Sequence, residues 1–407
     1  MIHVVDAAAA LERTWRADAA GMRAVLARRL GDLDRAEEAL QDAVGEALRR
    51  WPVDGVPERP AGWLVTTAWR KAVDQLRRET TGREKAALAA QEPPHEPTGD
   101  DRLAMIFACC HPALGEPAQV ALTLSVVSGL STAEIAAAHL TPAATMAQRL
   151  VRARRQLRDR GVRFEVPDDR GERLPAVLAT VYLVFNRGYD APDRRDLARE
   201  GLDLACQLAD LMPREPEAGG LAALVTLHEA RAATRVDAAG RLVMLEDQDR
   251  SRWDKTMIAS GVRRLARAAA LGVPGPYQLQ AAIAAQHALA PSYAATRWET
   301  VRALYDHLLE LRPSPVVRLS RAVATGFVDG PAAALAEVDA LEPRLAGYRL
   351  WHATRADLLV KLGRPGEAVA ATRRALALAT SPAERDLLAR RLATLVGERP
   401  VSGLSSA

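Results

Sequence analysis

Six arginines and one aspartate fall within residues 142–160. Met146, Leu150, Ala153 and Leu157 recur at spacings of four, three and four, so they share one apolar helical face. Thr145, Gln148, Arg149, Arg152, Arg155 and Arg160 fall mostly away from that face. A helix that packs on one side and offers Arg and Gln on the other suits a DNA major groove. A guanidinium binds guanine through two bonds, a carboxamide binds adenine, and the remaining cations clamp phosphates. The plainer alternative is a solvated basic helix. The preceding residues favour the groove. Ser131 with Glu134 three later forms a capping box that opens a short helix ending near Leu140. Thr141 then predicts a cap, with Pro142 at the first helical position. Helix, short turn and capped basic helix make the helix-turn-helix pattern.

Two more patches carry chemistry. Residues 61–79 hold Trp63 and Trp69 beside Arg70, Lys71, Arg77 and Arg78. Aromatic rings next to cations at a loop–helix junction suit single-stranded DNA, whose bases lie on rings while cations follow phosphates. Read alone, both tryptophans fit a core better. Residues 32–51 carry six acids against three arginines, with Glu37, Glu38, Gln41, Asp42, Glu46 and Arg49 on the polar face. Such a run is either a solvated face or a docking surface for another protein.

The elements that position these patches are helical. Leu11, Trp15, Ala19, Met22, Leu26 and Leu30 follow helical spacing, Gly31 breaks the run, and Asp32 or Asp34 caps the next helix, which runs to Trp51. Three prolines and a glycine make residues 52–60 a loop. Residues 80–101 read as a linker, with room for a short helix near 84–91. A flexible linker of ~20 residues has a root-mean-square span of roughly 25 Å. From about residue 165 everything reads as helical, with a loop at 213–220 and a break at 272–276. Paired helices follow at 277–290 with 296–311, 315–326 with 331–341, and 348–362 with 366–379. A period in the thirties with two helices per unit is the tetratricopeptide signature, best matched by Trp351, Leu358, Gly363, Ala368, Ala375 and Pro382.

Composition agrees with an all-α fold. Of 407 residues, 49% are hydrophobic but only 4% aromatic, so cores are built from Ala, Leu and Val. Lys and Arg number 55 against 51 acids, a net charge of +4 too small to argue for nucleic acid by itself. Only four of the cations are Lys, a bias that points to genome composition rather than function. Three cysteines exclude a disulfide framework and suit a reducing cytoplasm. No apolar run approaches the ~20 residues of a membrane span, and Asp6 follows the N-terminus too early for a signal peptide.

In this order and spacing the patches resemble bacterial RNA polymerase sigma factors of the extracytoplasmic-function type. Residues Ala36 to Ala43 resemble region 2.2, which implies docking of Glu37, Glu38, Gln41, Asp42 and Glu46 on the clamp helices of the largest polymerase subunit. Residues Trp63 to Arg78 resemble regions 2.3 and 2.4, which implies that Trp63, Thr66, Thr67, Arg70, Lys71, Arg77 and Arg78 open and read the −10 element. Residues Ser131 to Leu157 resemble region 4.2, which implies −35 reading by Thr145, Gln148, Arg149, Arg152 and Arg155, and a further contact with the β flap. The segments Phe107–Leu114, Phe185–Tyr189 and Leu245–Asp254 resemble the group with a tetratricopeptide-type extension, in which Glu is expected where Arg187 stands. The implied layout is region 2 at 1–80, a linker at 81–101, region 4 at 102–164, a helical extension at 165–272 and tetratricopeptide-like repeats at 273–407. The implied partners are core RNA polymerase, promoter DNA and a protein or peptide on the extension, with no membrane and no cofactor.

Other chemistries find little support. Cys109 and Cys110 are adjacent, whereas tetrahedral metal sites space cysteines two to four apart, so buried thiols are expected and no metal. Asp249, Arg250, Trp253 and Asp254 sit in a charged run that reads as an ion-pair network with a structural or regulatory role. No nucleophile or phosphate loop accompanies those carboxylates, so no enzyme is expected. The competing reading is a DNA-binding regulator with a tetratricopeptide sensor and no sigma activity.

Overall fold

Small apolar residues at helical spacing build nearly every element. The computed structural model describes residues 2–79, 95–138, 141–168, 170–189 and 195–397. The short helix expected near 84–91 therefore lies outside the described residues. The chain divides into two compact units, 1–184 and 185–407.

In the first unit α1 (Ile2–Leu30), α2 (Leu33–Asp54) and α3 (Pro60–Glu79) form a bundle around Met22, Leu26, Leu40 and Leu64, all fully buried. Gly31 ends α1 at φ 68°, a left-handed turn that glycine adopts without a Cβ penalty. The Asp32 carboxylate then caps α2, accepting from the Asp34 and Arg35 amides at 2.8 and 3.4 Å. The helix runs three residues past Trp51, through Pro52, where a loop was expected. A proline in the final turn removes one amide near a helix end, and Gly55, with φ 86°, closes that end through its N–H to the Trp51 carbonyl at 3.1 Å.

The expected linker also ends early. Helix α4 (Gly99–Cys109) starts at Gly99, because Thr98 and Asp101 form a reciprocal capping box. Asp101 is buried and bound by Arg28 at 2.7 Å. Helices α5 (Glu116–Val126), α6 (Thr132–Ala138) and α7 (Ala143–Asp159) complete the helix-turn-helix unit. The capping box at Ser131 is present, with Ser131 N–H and Oγ donating to Glu134 Oε2 at 2.7 and 2.6 Å. The cap of α7 differs from expectation: Pro142, not Thr141, is the N-cap and has no side-chain bond to give. Its extended ψ of 141° lets its own carbonyl accept the first helical bond, from Met146 N at 3.0 Å. Cys109 and Cys110 are buried, and burial pushes both thiols up, Cys110 to about 11. Among the described residues no three metal-ligating side chains come together.

Helix α8 (Arg170–Tyr189) contains the division between the units. The second unit holds α9 (Arg195–Leu211), α10 (Pro216–Glu229), α11 (Lys255–Ala269) and α12 (Pro276–Leu289). The glycines at 219 and 220, expected in a loop, lie inside α10. A Cβ on Gly220 would meet the Gln278 backbone nitrogen at 2.8 Å, so these glycines let α12 and α11 approach rather than break a helix. The expectation of unbroken helix also fails at 230–254. That segment folds as short 3₁₀ turns around one antiparallel bridge between Val236 and Leu242.

Beyond it stand α13 (Trp298–Leu311), α14 (Pro315–Val328), α15 (Pro331–Asp339), α16 (Glu342–Leu345), α17 (Arg349–Lys361), α18 (Pro365–Leu378) and α19 (Pro382–Gly397). Leu319, Leu335, Val338, Trp351, Leu358 and Ala368 share one core there. The Trp351 indole donates to the Val338 carbonyl at 2.7 Å. The fold is all-α. Among the described residues no helix is long and apolar enough to cross a membrane.

Candidate nucleic-acid interface

Helix α7 sorts its residues by side. Met146, Leu150, Ala153 and Leu157 are buried. Thr145, Gln148, Arg152 and Arg155 are exposed and Arg149 is half-buried. Thr145, Gln148, Arg149, Arg152 and Gln156 line one open groove of about 290 Å³ with Ala118. Cations and amides thus face solvent along a single strip, the arrangement that base-edge and phosphate contacts need. Arg155 spends part of its charge on Asp159 at 3.3 Å.

The other flank of α7 does something the sequence reading missed. Arg154 donates to Asp34 at 3.0 Å and to Glu37 at 2.5 Å, and Arg158 reaches Asp32 at 3.1 Å. The acidic and basic helices of the first unit are therefore tied to each other. These bonds hold the Arg154 guanidinium above its ordinary range, against the burial that opposes charge, and the Asp32 carboxyl is held low, burial opposed by the Arg158 bond and two backbone amides. Spacing carried the signal: Arg154 follows the buried Leu150 by four residues and precedes Arg158 by four, so it borders the packed face.

On α2, Glu38, Gln41 and Asp42 are exposed and free to meet a partner, whereas Glu37 and Glu46 are half-buried. Glu37 is held between Arg154 and Arg23. Glu46 lies 2.6 Å from Arg49 and 3.7 Å from Lys71 of α3. On α3, Trp69 is a core residue at 3% exposure. Trp63 is half-buried and meets Trp51 edge-on at 5.6 Å. Thr66, Thr67 and Lys71 are half-buried and Arg70 and Arg78 exposed, while the Arg77 side chain lies outside the described residues.

Comparison with known proteins decides what these helices are. The model described as "Sigma-70 region 2" matches residues 16–81, and "Sigma-70, region 4" matches residues 104–157. The chain belongs to the sigma-70 family, as an extracytoplasmic-function sigma factor with a C-terminal extension. Part of the extension, residues 173–269, matches a family of unknown function (DUF6596). An uncharacterized protein of Rhizobium meliloti is 43% identical over 399 residues, covering 92% of this chain and 93% of that protein. A probable ECF RNA polymerase sigma factor, SigI, of Mycobacterium tuberculosis is 28% identical over 156 residues, 36% of this chain and 53% of SigI. The sigma domains imply core RNA polymerase and promoter DNA as partners.

In the extension of this sigma factor, the expected ion-pair network at 249–254 is replaced by caps and ring contacts. Asp249 accepts from Ser251 N at 2.9 Å and Asp254 from Met257 N at 2.9 Å, which closes a turn and starts α11. Trp253 is buried and donates to Thr234 Oγ1 at 2.9 Å. Arg250 lies 4.5 Å over the Trp253 ring.

Proposed function

We propose that the exposed strip of α7 reads the −35 element. Thr145, Gln148, Arg149, Arg152 and Arg155 are its contact residues. The support is the side-by-side placement of Thr145, Gln148, Arg149 and Arg152 on one groove, with Arg155 exposed on the same helix and Arg154 and Arg158 turned away to carboxylates.

The −10 element falls to Trp63, Thr66, Thr67, Arg70, Lys71, Arg77 and Arg78. Holding flipped bases costs a few kcal/mol each, and a half-exposed indole with flanking cations offsets that cost by stacking and charge. Trp63 fits the role and Trp69 does not, because Trp69 is in the core.

Core polymerase docks on α2, led by Glu38, Gln41 and Asp42. Glu37 and Glu46 join only after their internal partners let go. Two weak DNA readers and the polymerase, linked in one chain, reach an avidity that none has alone. The layout that goes with this is region 2 at 1–80, a linker at 81–101, region 4 at 102–164, the extension at 165–272 and tetratricopeptide-like repeats at 273–407. The extension supports or modulates initiation through a protein or peptide partner.

Run-off transcription with purified core polymerase on genomic fragments tests the reading. Discrete transcripts that depend on this chain are the expected result. DNA binding without polymerase capture or transcripts would instead make it a regulator without sigma activity.

A further inference from the structure

The turn-rich segment 230–254 brings Arg231 and Arg250 to one tryptophan ring in the extension. Arg231 donates to the Tyr189 hydroxyl, and its guanidinium lies 5.9 Å from the centre of the Trp253 ring. Arg250 lies over the same ring and donates to the carbonyls of Ala290, at 3.0 Å, and His287. Neither guanidinium has a carboxylate within ion-pairing distance among the described residues. His228 packs against Phe185 and Tyr189, and His287 against Tyr293 and Trp298. Burial, with Arg231 nearby, lowers both imidazoles, His287 to about 4, so each is a neutral ring with one N–H to give.

The neighbouring carboxylates are spent elsewhere. Glu229 pairs with Arg195, and Asp249 and Asp254 serve as caps. Among the described residues, three buried polar atoms of the cluster have no partner: Arg250 Nη2, His228 Nδ1 and His287 Nδ1. Unpaired buried donors and like charges held together cost free energy that a bound anion would remove. The four residues are each half-buried, so parts of them reach the surface while the three unpaired atoms lie just beneath it.

We propose that Arg231, Arg250, His228 and His287 form a binding site for a phosphate group. Two guanidiniums leave two positive charges to neutralise. A phosphate dianion supplies both in one small group with enough acceptor oxygens for both forks and the imidazole N–H donors, whereas a carboxylate supplies one charge. The site belongs to the extension and stands independently of the sigma reading.

The test is equilibrium dialysis of the full chain with labelled inorganic phosphate, with chloride holding ionic strength constant. One saturable site per chain is expected, weakened at least tenfold by Arg231→Gln and by Arg250→Gln. Arg264→Gln, which removes an ion pair from α11 to Asp210 of α9 and touches none of the four residues, leaves it unchanged. Competition by glycerol phosphate at equal concentration assigns the site to phosphate monoesters, and its failure to compete assigns it to the free ion. No saturable binding, or equal binding by wild type and both variants, overturns the proposal. Should Arg250→Gln unfold for want of its two carbonyl bonds, Arg231→Gln decides alone.

Discussion

Arg152 stands in solvent, whereas Arg154, two residues later, is held between Asp34 and Glu37. Position on the helix, not residue type, divides the arginines of α7 into solvent-facing ones, the proposed DNA readers, and structural ties. Arg149→Ala and Arg152→Ala are therefore expected to weaken binding to −35 DNA by ~1–3 kcal/mol each while leaving the melting temperature near wild type. Arg154→Ala should do the reverse, because it strips two charge-assisted bonds worth roughly 1.5–3 kcal/mol apiece. Fluorescence anisotropy and thermal melts on the three variants check the division. Equal loss of DNA affinity in all three would refute it.

The histidines give a pH signature at the same scale. His287 is held down to about 4 in the folded chain, against an unfolded imidazole near about 6.5. Above the unfolded value neither state takes up a proton, and the stability contribution is intact. As pH falls from there towards 4, the unfolded chain binds protons that the folded chain refuses, so stability declines across that window. His287 alone accounts for a loss on the order of 3 kcal/mol by the bottom of the window. His228, lowered for the same reason of burial, adds to it. Melting curves of wild type and His287→Asn between pH 7 and 4 should show the shallower slope in the variant.

At the scale of elements, periodicity placed most helices because their buried faces really do recur at helical spacing. Trp351, Leu358, Ala368 and Ala375 are all buried where the repeat pattern put them. Two kinds of element were illegible. Gly219 and Gly220 look like loop residues, but what decides their conformation is the nearness of Ala268 and Gln278, which no local pattern encodes. Segment 230–254 has helix-forming residues, yet the Trp253–Thr234 bond and the caps at Asp249 and Asp254 hold it in turns. Close approach of this kind also occurs at Gly201 on α9, where an added Cβ would lie 2.5 Å from the Phe185 backbone. Neither backbone can yield cheaply. Gly201→Ala should destabilise the extension by at least ~1–3 kcal/mol, lowering its melting transition and raising amide exchange around Phe185. A glycine with open space around its Cβ position, such as the half-buried Gly45, should tolerate the same change.

For the whole molecule, the division at 184/185 and the family matches mark different boundaries. The region 4 match ends at residue 157, but the first compact unit continues into α8. Leu174, Val177, Leu178, Val181 and Val184 of α8 are buried, and Thr180 lies close enough to the Cys110 thiol to lower it against its burial. A fragment cut after residue 164, the end expected from the helix-turn-helix pattern, loses that cover over Cys110. A fragment cut after Tyr189 keeps it and ends with the helix. The longer fragment is expected to melt cooperatively and to leave Cys109 and Cys110 unreactive to a thiol reagent. The shorter one should expose both thiols and melt at lower temperature. Equal thiol protection in the two fragments would show that α8 contributes nothing to the sigma half. Because the shorter fragment is damaged at its own core, loss of transcription in it says nothing about regulation, and only the fragment ending at Tyr189 can report what the extension adds to initiation.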